Sequence, residues 1–278
     1  IQAVQANVRY PVSLAAAVAG ADVVINLTGI LTQRGRQNFD AVHVFGAGAI
    51  ARAARAAGAK RFIHVSAIGA SSQSDSVYAR SKARGEAVVG EAFPGAIVVR
   101  PSVVFGPEDQ FFNRFGAIGR MSPILPVFGD GKARVQPVYV GDVADALTRL
   151  STMSDVEGKI FELGGPESKT FGELMSLVAE MIDRNRLVLQ LPLSLAKFQA
   201  ICLDWANRLS FGIWPNWLTI TPDQVVMLQQ DNVVSDAARI EGRDLKGLGI
   251  QPESISAIVP GYLYRFRKTG QFGIEKSA

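Results

Sequence analysis

Tyr78 and Lys82, in the run Ser76-Val77-Tyr78-Ala79-Arg80-Ser81-Lys82, have the spacing that bears most directly on chemistry. Four apart on a helix, they share one face, one turn from each other. An ammonium beside a phenol favours the phenolate, which predicts a Tyr78 able to exchange a proton near neutral pH. The same ammonium reaches the ribose hydroxyls of a nicotinamide nucleotide. Solvated helix faces also carry this spacing by chance, so the setting decides its weight. The pair follows the apolar run Arg61-Phe62-Ile63-His64-Val65-Ser66 and precedes Ala96-Ile97-Val98-Val99-Arg100-Pro101-Ser102. A strand ending in Ser, a helix and a further strand give the order of a nucleotide-binding sheet.

The elements that must position the pair alternate short apolar runs with Ala-rich helical patterns, the mark of βαβ units and a parallel sheet. Val23–Leu27 reads as a buried strand because it is a continuous apolar run rather than an alternating one. A helix over Asn38–Ala57, a strand over Phe62–Val65, a helix over Tyr78–Phe93 and a strand over Ile97–Arg100 follow. Val135–Tyr139 leads to a helix over Gly141–Ser151, with Asp142 and Asp145 in its first turns, where the dipole favours acids. Ile160–Leu163 is another strand, and Thr170 with Glu173 is spaced as a capping box. The expected fold is a doubly wound parallel α/β sheet of the Rossmann type over 1–166, with a smaller, mostly helical C-terminal cap over 167–278.

Composition narrows the function classes. The chain has 278 residues, 48% of them hydrophobic, and a formal charge of +4 without long Lys/Arg runs, so nucleic-acid binding is not expected. One cysteine excludes an internal disulfide and fits a reducing compartment, and two histidines with it cannot build a His/Cys zinc site. No metal is expected. No apolar run is long enough for a membrane span, while association with a membrane surface stays open.

A nucleotide-binding domain opens with a strand, a Gly-rich turn and a helix that holds the pyrophosphate. Ile1-Gln2-Ala3-Val4-Gln5-Ala6-Asn7 reads as a third strand instead of a first. The match Gly46-Ala47-Gly48-Ala49-Ile50-Ala51 lies inside a helical pattern and reads as small residues for close packing on the sheet. The expectation is a sheet N-terminally incomplete by roughly fifty residues, one βαβ opening.

Four segments in order resemble the extended and atypical short-chain dehydrogenase/reductase superfamily. They are Asn26-Leu27-Thr28-Gly29, Tyr78 with Lys82, Arg100-Pro101-Ser102-Val103-Val104-Phe105-Gly106-Pro107, and Pro137-Val138-Tyr139-Val140-Gly141-Asp142-Val143-Ala144. Three further segments narrow the match: Ile220–Val225, Gln230–Val234, and Tyr262-Leu263-Tyr264-Arg265-Phe266-Arg267 followed by Gly270-Gln271-Phe272. They resemble the nucleotide-binding accessory subunits of respiratory complex I, in a bacterial form. The resemblance implies a tightly held NADP(H), with NAD(H) as the alternative, and other complex I subunits as partners. It also implies a structural role near the ubiquinone end, peripheral on the cytoplasmic face of the bacterial inner membrane. It places cofactor contacts at Asn26, Thr28, Gly29, Ser66, Tyr78, Lys82, Arg100, Pro101, Ser102 and Val103.

Two departures weaken turnover. Ala67 stands where the superfamily places a catalytic Ser or Thr, which leaves Ser66, or Ser71-Ser72, beside Tyr78 and Lys82 as the catalytic set. His43 replaces the usual Asn of the long helix. The second reading is therefore a free NAD(P)-dependent reductase or epimerase. His64 reads as a core histidine and His43 as a packing residue. Arg100 reads either as a phosphate contact or as half of an ion pair. The segment Phe198–Trp217 and the tail Tyr262–Lys268, which interleaves aromatics with cations, are expected either to contact the membrane or to complete the cap.

Overall fold

Strands without a polar face need cover on both sides. In the computed structural model, which describes residues 2–129, 131–192, 221–268 and 270, helices supply it for the inner strands, whereas the edge run Val23–Leu27, expected to be buried, leaves Ile25 and Leu27 exposed. Strands β1 (Val23–Asn26), β2 (Arg61–Val65), β3 (Ile97–Pro101) and β8 (Ile160–Leu163) form one parallel sheet in the order β1-β2-β3-β8. Val24 lies opposite Phe62, Ile63 opposite Ile97, and Val99 opposite Phe161. The doubly wound parallel architecture expected from the sequence is the one observed.

The chain forms two compact units. The first joins Ile1–Ser102, Asp142–Leu163 and Val234–Gln251. Its helices include α1 (Leu14–Val18), α2 (Ala47–Ala56), α3 (Val77–Ala92) and most of α5 (Val140–Thr152). A π-helical segment, Asp40–Gly46, runs directly into α2. Val24, Phe62, Val89 and Phe93 share one buried cluster with Ala51 and Ala54, so the alanines of α2 face the strands. Ser76 caps α3 by accepting from Ala79 N at 3.2 Å, which starts the helix two residues before Tyr78 and fixes the rotation of its face.

Two expectations for this unit are corrected. Gln2–Asn7 form no strand; the stretch ends in a turn, where the Asn7 carbonyl accepts from Tyr10 N at 2.8 Å. Gly46 and Gly48 do lie in a helix, yet they serve contacts other than the sheet. A Cβ on Gly48 would stand 2.4 Å from Val88 Cγ1 on α3, and one on Gly46 would stand 2.8 Å from Val8 Cγ2. From the other side, a Cβ on Gly85 of α3 would meet the His43 carbonyl oxygen at 2.2 Å. Helix meets helix at backbone distance here.

The second unit joins Val103–Gly141, Gly164–Val233 and Pro252–Ala278. It contains β4 (Val104–Phe105), β5 (Ile124–Phe128), β6 (Arg134–Val135), β7 (Val138–Tyr139), β9 (Lys169–Thr170) and β10 (Leu187–Leu191), with helices α4 (Phe112–Met121) and α6 (Phe171–Met181). The single strand expected over Val135–Tyr139 is split. Pro137 has no N–H to offer, and Gln136 N turns to Asn232 O at 3.0 Å, so β6 pairs with β9 and β7 with β4. The capping box forms: Thr170 Oγ1 accepts from Glu173 N at 3.2 Å, and Glu173 Oε2 accepts from Thr170 N at 2.6 Å.

Asp109 holds the start of α4 by accepting from Phe112 N at 2.6 Å, and the Tyr262 phenol donates to its second oxygen. The tail is thereby built into this unit. Tyr262 and Leu263 are buried, Arg265 lies over the Phe266 ring and donates to Asn113 Oδ1, and Arg267 Nε donates to Met181 O at 2.9 Å. Tyr262 and Leu263 thus contribute to the core of this unit, while Tyr264, Arg265 and Lys268 are exposed; the aromatic segment Phe198–Trp217 lies outside the described residues.

The glycines of α3 make the packing testable. Gly85→Ala should cost about 2–3 kcal/mol, because the added methyl overlaps a backbone carbonyl that cannot move without bending the helix. Gly90 has nothing within 4 Å of a built Cβ. Gly90→Ala should therefore stabilise by about 0.5–1 kcal/mol through helix propensity. Urea unfolding of the two variants checks both signs.

Candidate functional site

Ligands of open parallel sheets bind beyond the carboxyl ends of the strands. There the first unit gathers most of the residues singled out in the sequence. Asn26, last in β1, is 1% exposed. Its Oδ1 accepts from Thr28 N at 3.1 Å and from Thr28 Oγ1, shaping the turn that carries the exposed Gly29. Its Nδ2 donates to His64 Nδ1 at 3.1 Å on the neighbouring strand, so the His64 proton sits on Nε2. That Nε2, and the Ser66 hydroxyl two residues on, are buried without hydrogen-bond partners among the described residues.

Lys82 is 4% exposed, and its ammonium donates to Val65 O at 3.1 Å. Burial lowers its pKa to about 8, with Glu86 one turn away pulling it back up. A Cβ built on Gly29 would stand 3.5 Å from Lys82 Nζ, so the turn after β1 lies against the ammonium. Tyr78 packs edge-on against Phe39 at 5.7 Å and His43 at 5.5 Å. Here the expectation of an easily ionised phenol is overturned: burial pushes Tyr78 up to about 12. At neutral pH it is a protonated donor.

His43 joins these parts. Its Nε2 accepts from Ile30 N at 3.0 Å, and Nδ1 lies 2.8 Å from Ser81 Oγ, which itself donates to Tyr78 O at 2.7 Å. Nδ1 therefore carries the proton. Burial, then the Lys82 charge, lowers His43 to about 4, and the same causes together with His43 bring His64 to about 3. Both rings are neutral at neutral pH.

The remaining residues sit elsewhere. Arg100 is committed to carboxylates: Nε and Nη2 reach both Glu86 oxygens at 2.9 and 2.6 Å, and Nη1 lies 3.9 Å from Glu162. The ion-pair reading of Arg100 is the one the geometry takes. Pro101 O accepts from Ile68 N at 3.0 Å and Ser102 N donates to Leu163 O at 2.8 Å, both holding the ends of β3 and β8. Val103 opens the second unit and packs on its core. Ser71 and Ser72 are exposed on a turn. Sequence reasoning missed Ile30, Phe39 and Ser81; the signal for Ser81 was its place three residues after Tyr78, on the same helix face. Among the described residues no His, Cys, Asp and Glu cluster could hold a metal, and no helix is long and apolar enough to cross a membrane.

A parallel sheet with these side chains at its strand ends defines a Rossmann-type protein of the short-chain dehydrogenase/reductase kind. The chain belongs to the NAD dependent epimerase/dehydratase family, whose model matches residues 2–164. It is 36% identical over 241 residues, 86% of its length, to the mitochondrial NADH dehydrogenase [ubiquinone] 1 alpha subcomplex subunit 9 of Mus musculus. It spans 60% of that relative's own length. It is also 34% identical over 200 residues to the ceramide reductase of Caulobacter vibrioides, covering 69% of this chain and 60% of that one. Among solved structures, the UDP-glucose 4-epimerase of Thermotoga maritima superposes with a TM-score of 0.67 at 16% identity, over 95% of this chain and 84% of that one, a likeness of fold.

The two neutral histidines predict acid lability. An unfolded chain binds protons near the ordinary value of 6.5, while the folded groups wait until about 4 and 3. Between these limits the unfolded state holds more protons, so stability falls as pH drops from 6.5 toward 4, by about 1.4 kcal/mol per pH unit for each ring. His43→Gln should roughly halve the slope of unfolding free energy against pH; an unchanged slope refutes the assignment.

Proposed function

We propose that this chain is a nucleotide-holding accessory subunit of a respiratory NADH:ubiquinone oxidoreductase. It keeps NADP(H), with NAD(H) as the alternative, as a structural part near the quinone end, and sits peripherally on the cytoplasmic face of a bacterial inner membrane. The observation that carries this reading is a site able to bind and poorly equipped to turn over. Lys82 donates one hydrogen bond, to Val65 O, which leaves ammonium donors for ribose hydroxyls. The orphaned Ser66 hydroxyl and the exposed Gly29 turn fit the nicotinamide-side ribose and the adenosine half respectively. Against turnover stand the phenol held at about 12 and Ala67 in the place of a carbonyl-polarising hydroxyl. The likeness to the mouse subunit, named for NADH dehydrogenase, supports the assembly.

When bound, the nucleotide supplies hydride chemistry. The residues of this chain would hold and orient it: Asn26 shapes the turn, Lys82 anchors the ribose, and Tyr78 stays a protonated donor at neutral pH. A Gly-rich cradle for the pyrophosphate is not found among the described residues. The second reading, a free NAD(P)-dependent reductase or epimerase, is favoured by the retained Tyr78 and Lys82 and by the likeness to the ceramide reductase.

Nucleotide extracted from the native protein and weighed by mass spectrometry should be NADP(H), and the protein should co-purify from membranes with other oxidoreductase subunits. Protein that carries no dinucleotide refutes the holding role. Dinucleotide in a wholly soluble protein that reduces a carbonyl substrate selects the second reading. Lys82→Met should weaken nucleotide binding about ten- to a hundredfold, the loss of a charge-assisted hydrogen bond.

A further inference from the structure

We propose that His43 is a positioning residue: its two ring nitrogens tie the turn after β1 to α3 and so set Gly29 and Ile30 over Lys82. Its consequence for nucleotide binding rests on the nucleotide-holding reading above. One nitrogen accepts from Ile30 N at 3.0 Å; the other donates to Ser81 Oγ at 2.8 Å, one residue before Lys82. The ring cannot drift, because it stacks on Phe39 at 5.3 Å and meets Tyr78 edge-on. Its backbone is seated as firmly. The π-helical segment Asp40–Gly46 presses the His43 carbonyl onto Gly85, where a Cβ would come within 2.2 Å of it. A π-helical turn carries one more residue per turn than an α-helix and re-aims its side chains.

The consequence falls on Lys82. A Cβ on Gly29 would stand 3.7 Å from His43 Nε2 and 3.5 Å from Lys82 Nζ, so one contact places the other. With the Ile30 N–H released, this turn no longer covers the ammonium. Asn26 and Thr28 would hold only the turn's beginning.

The test uses the intact protein and two variants. His43→Phe keeps the ring and removes both polar atoms, while His43→Gln offers a carboxamide oxygen to Ile30 N. Three quantities are read: hydrogen exchange of the Ile30 amide, the pH midpoint of Lys82 acetylation by acetic anhydride, and NADPH affinity. In His43→Phe the Ile30 amide should exchange about tenfold faster and NADPH should bind about tenfold more weakly, each matching one lost hydrogen bond. The Lys82 midpoint should rise from about 8 toward 10.5 as water reaches the amine. His43→Gln should recover most of each change, which a loss of bulk packing would not produce. An unmoved Lys82 midpoint and unchanged Ile30 exchange in His43→Phe overturn the proposal. If the wild-type protein binds no NADPH, the nucleotide reading fails, and the other two quantities still decide the role of His43. Should His43→Phe not fold, Ser81→Ala releases the other ring nitrogen, and an unmoved midpoint there overturns the proposal equally.

Discussion

A buried ammonium without a carboxylate of its own governs this protein's first unit. Lys82 is 4% exposed, and the acid one helical turn away, Glu86, is taken by Arg100. A charge left in such a place must be bonded or given up. The Val65 carbonyl provides the bond, and the depressed pKa records what remains uncompensated. Burial holds the neighbouring histidines neutral, and the Lys82 charge adds to it. Protonating His43 or His64 would set a second positive charge beside the first, and the hydrogen-bond pattern agrees with that demand. His43 carries its proton on Nδ1, facing Ser81, and His64 carries its own on Nε2, away from Asn26. The tautomers are opposite because a donor meets a different nitrogen in each ring, the Ile30 amide at Nε2 of His43 and the Asn26 carboxamide at Nδ1 of His64.

Burial alone makes Tyr78 a poor acid despite its neighbour. Placing Tyr and Lys on one helix face does not by itself lower a phenol's pKa, since the burial that holds the pair also penalises the phenolate. Lys82 turns toward a backbone carbonyl, and the aromatic edge contacts of Tyr78 with Phe39 and His43 keep water away. Binding and proton transfer ask for different environments.

Legibility in the sequence tracked how local the physics was. Strand β2, helix α3 and the Thr170–Glu173 box rest on hydrophobic period and capping chemistry, which neighbours in the chain decide. The four motif segments were readable because their order was informative even where each was weak. What escaped depended on partners far away. Gln2–Asn7 have strand-like alternation, but no neighbouring strand pairs with them among the described residues. Gly46 and Gly48 signal close packing without saying against what, and the answer was Val8 and α3. Arg100 could have met a phosphate until Glu86 and Glu162 came into place beside it. In the tail, Arg265 and Arg267 find partners far back in the chain, on Asn113 and the Met181 carbonyl, which no local pattern announces.

The bond between Tyr262 and Asp109 joins residues 153 apart in the chain. The first unit is likewise completed by a late stretch, Val234–Gln251. Neither unit can therefore close while the ribosome is still making the middle of the chain. At about 5–20 residues per second, the start of α4 and the open strands wait many seconds for their final partners. During that interval Ile68, which packs on Val234 and Ala238, lacks its cover. Both units are therefore complete only once the chain has been made past Tyr262.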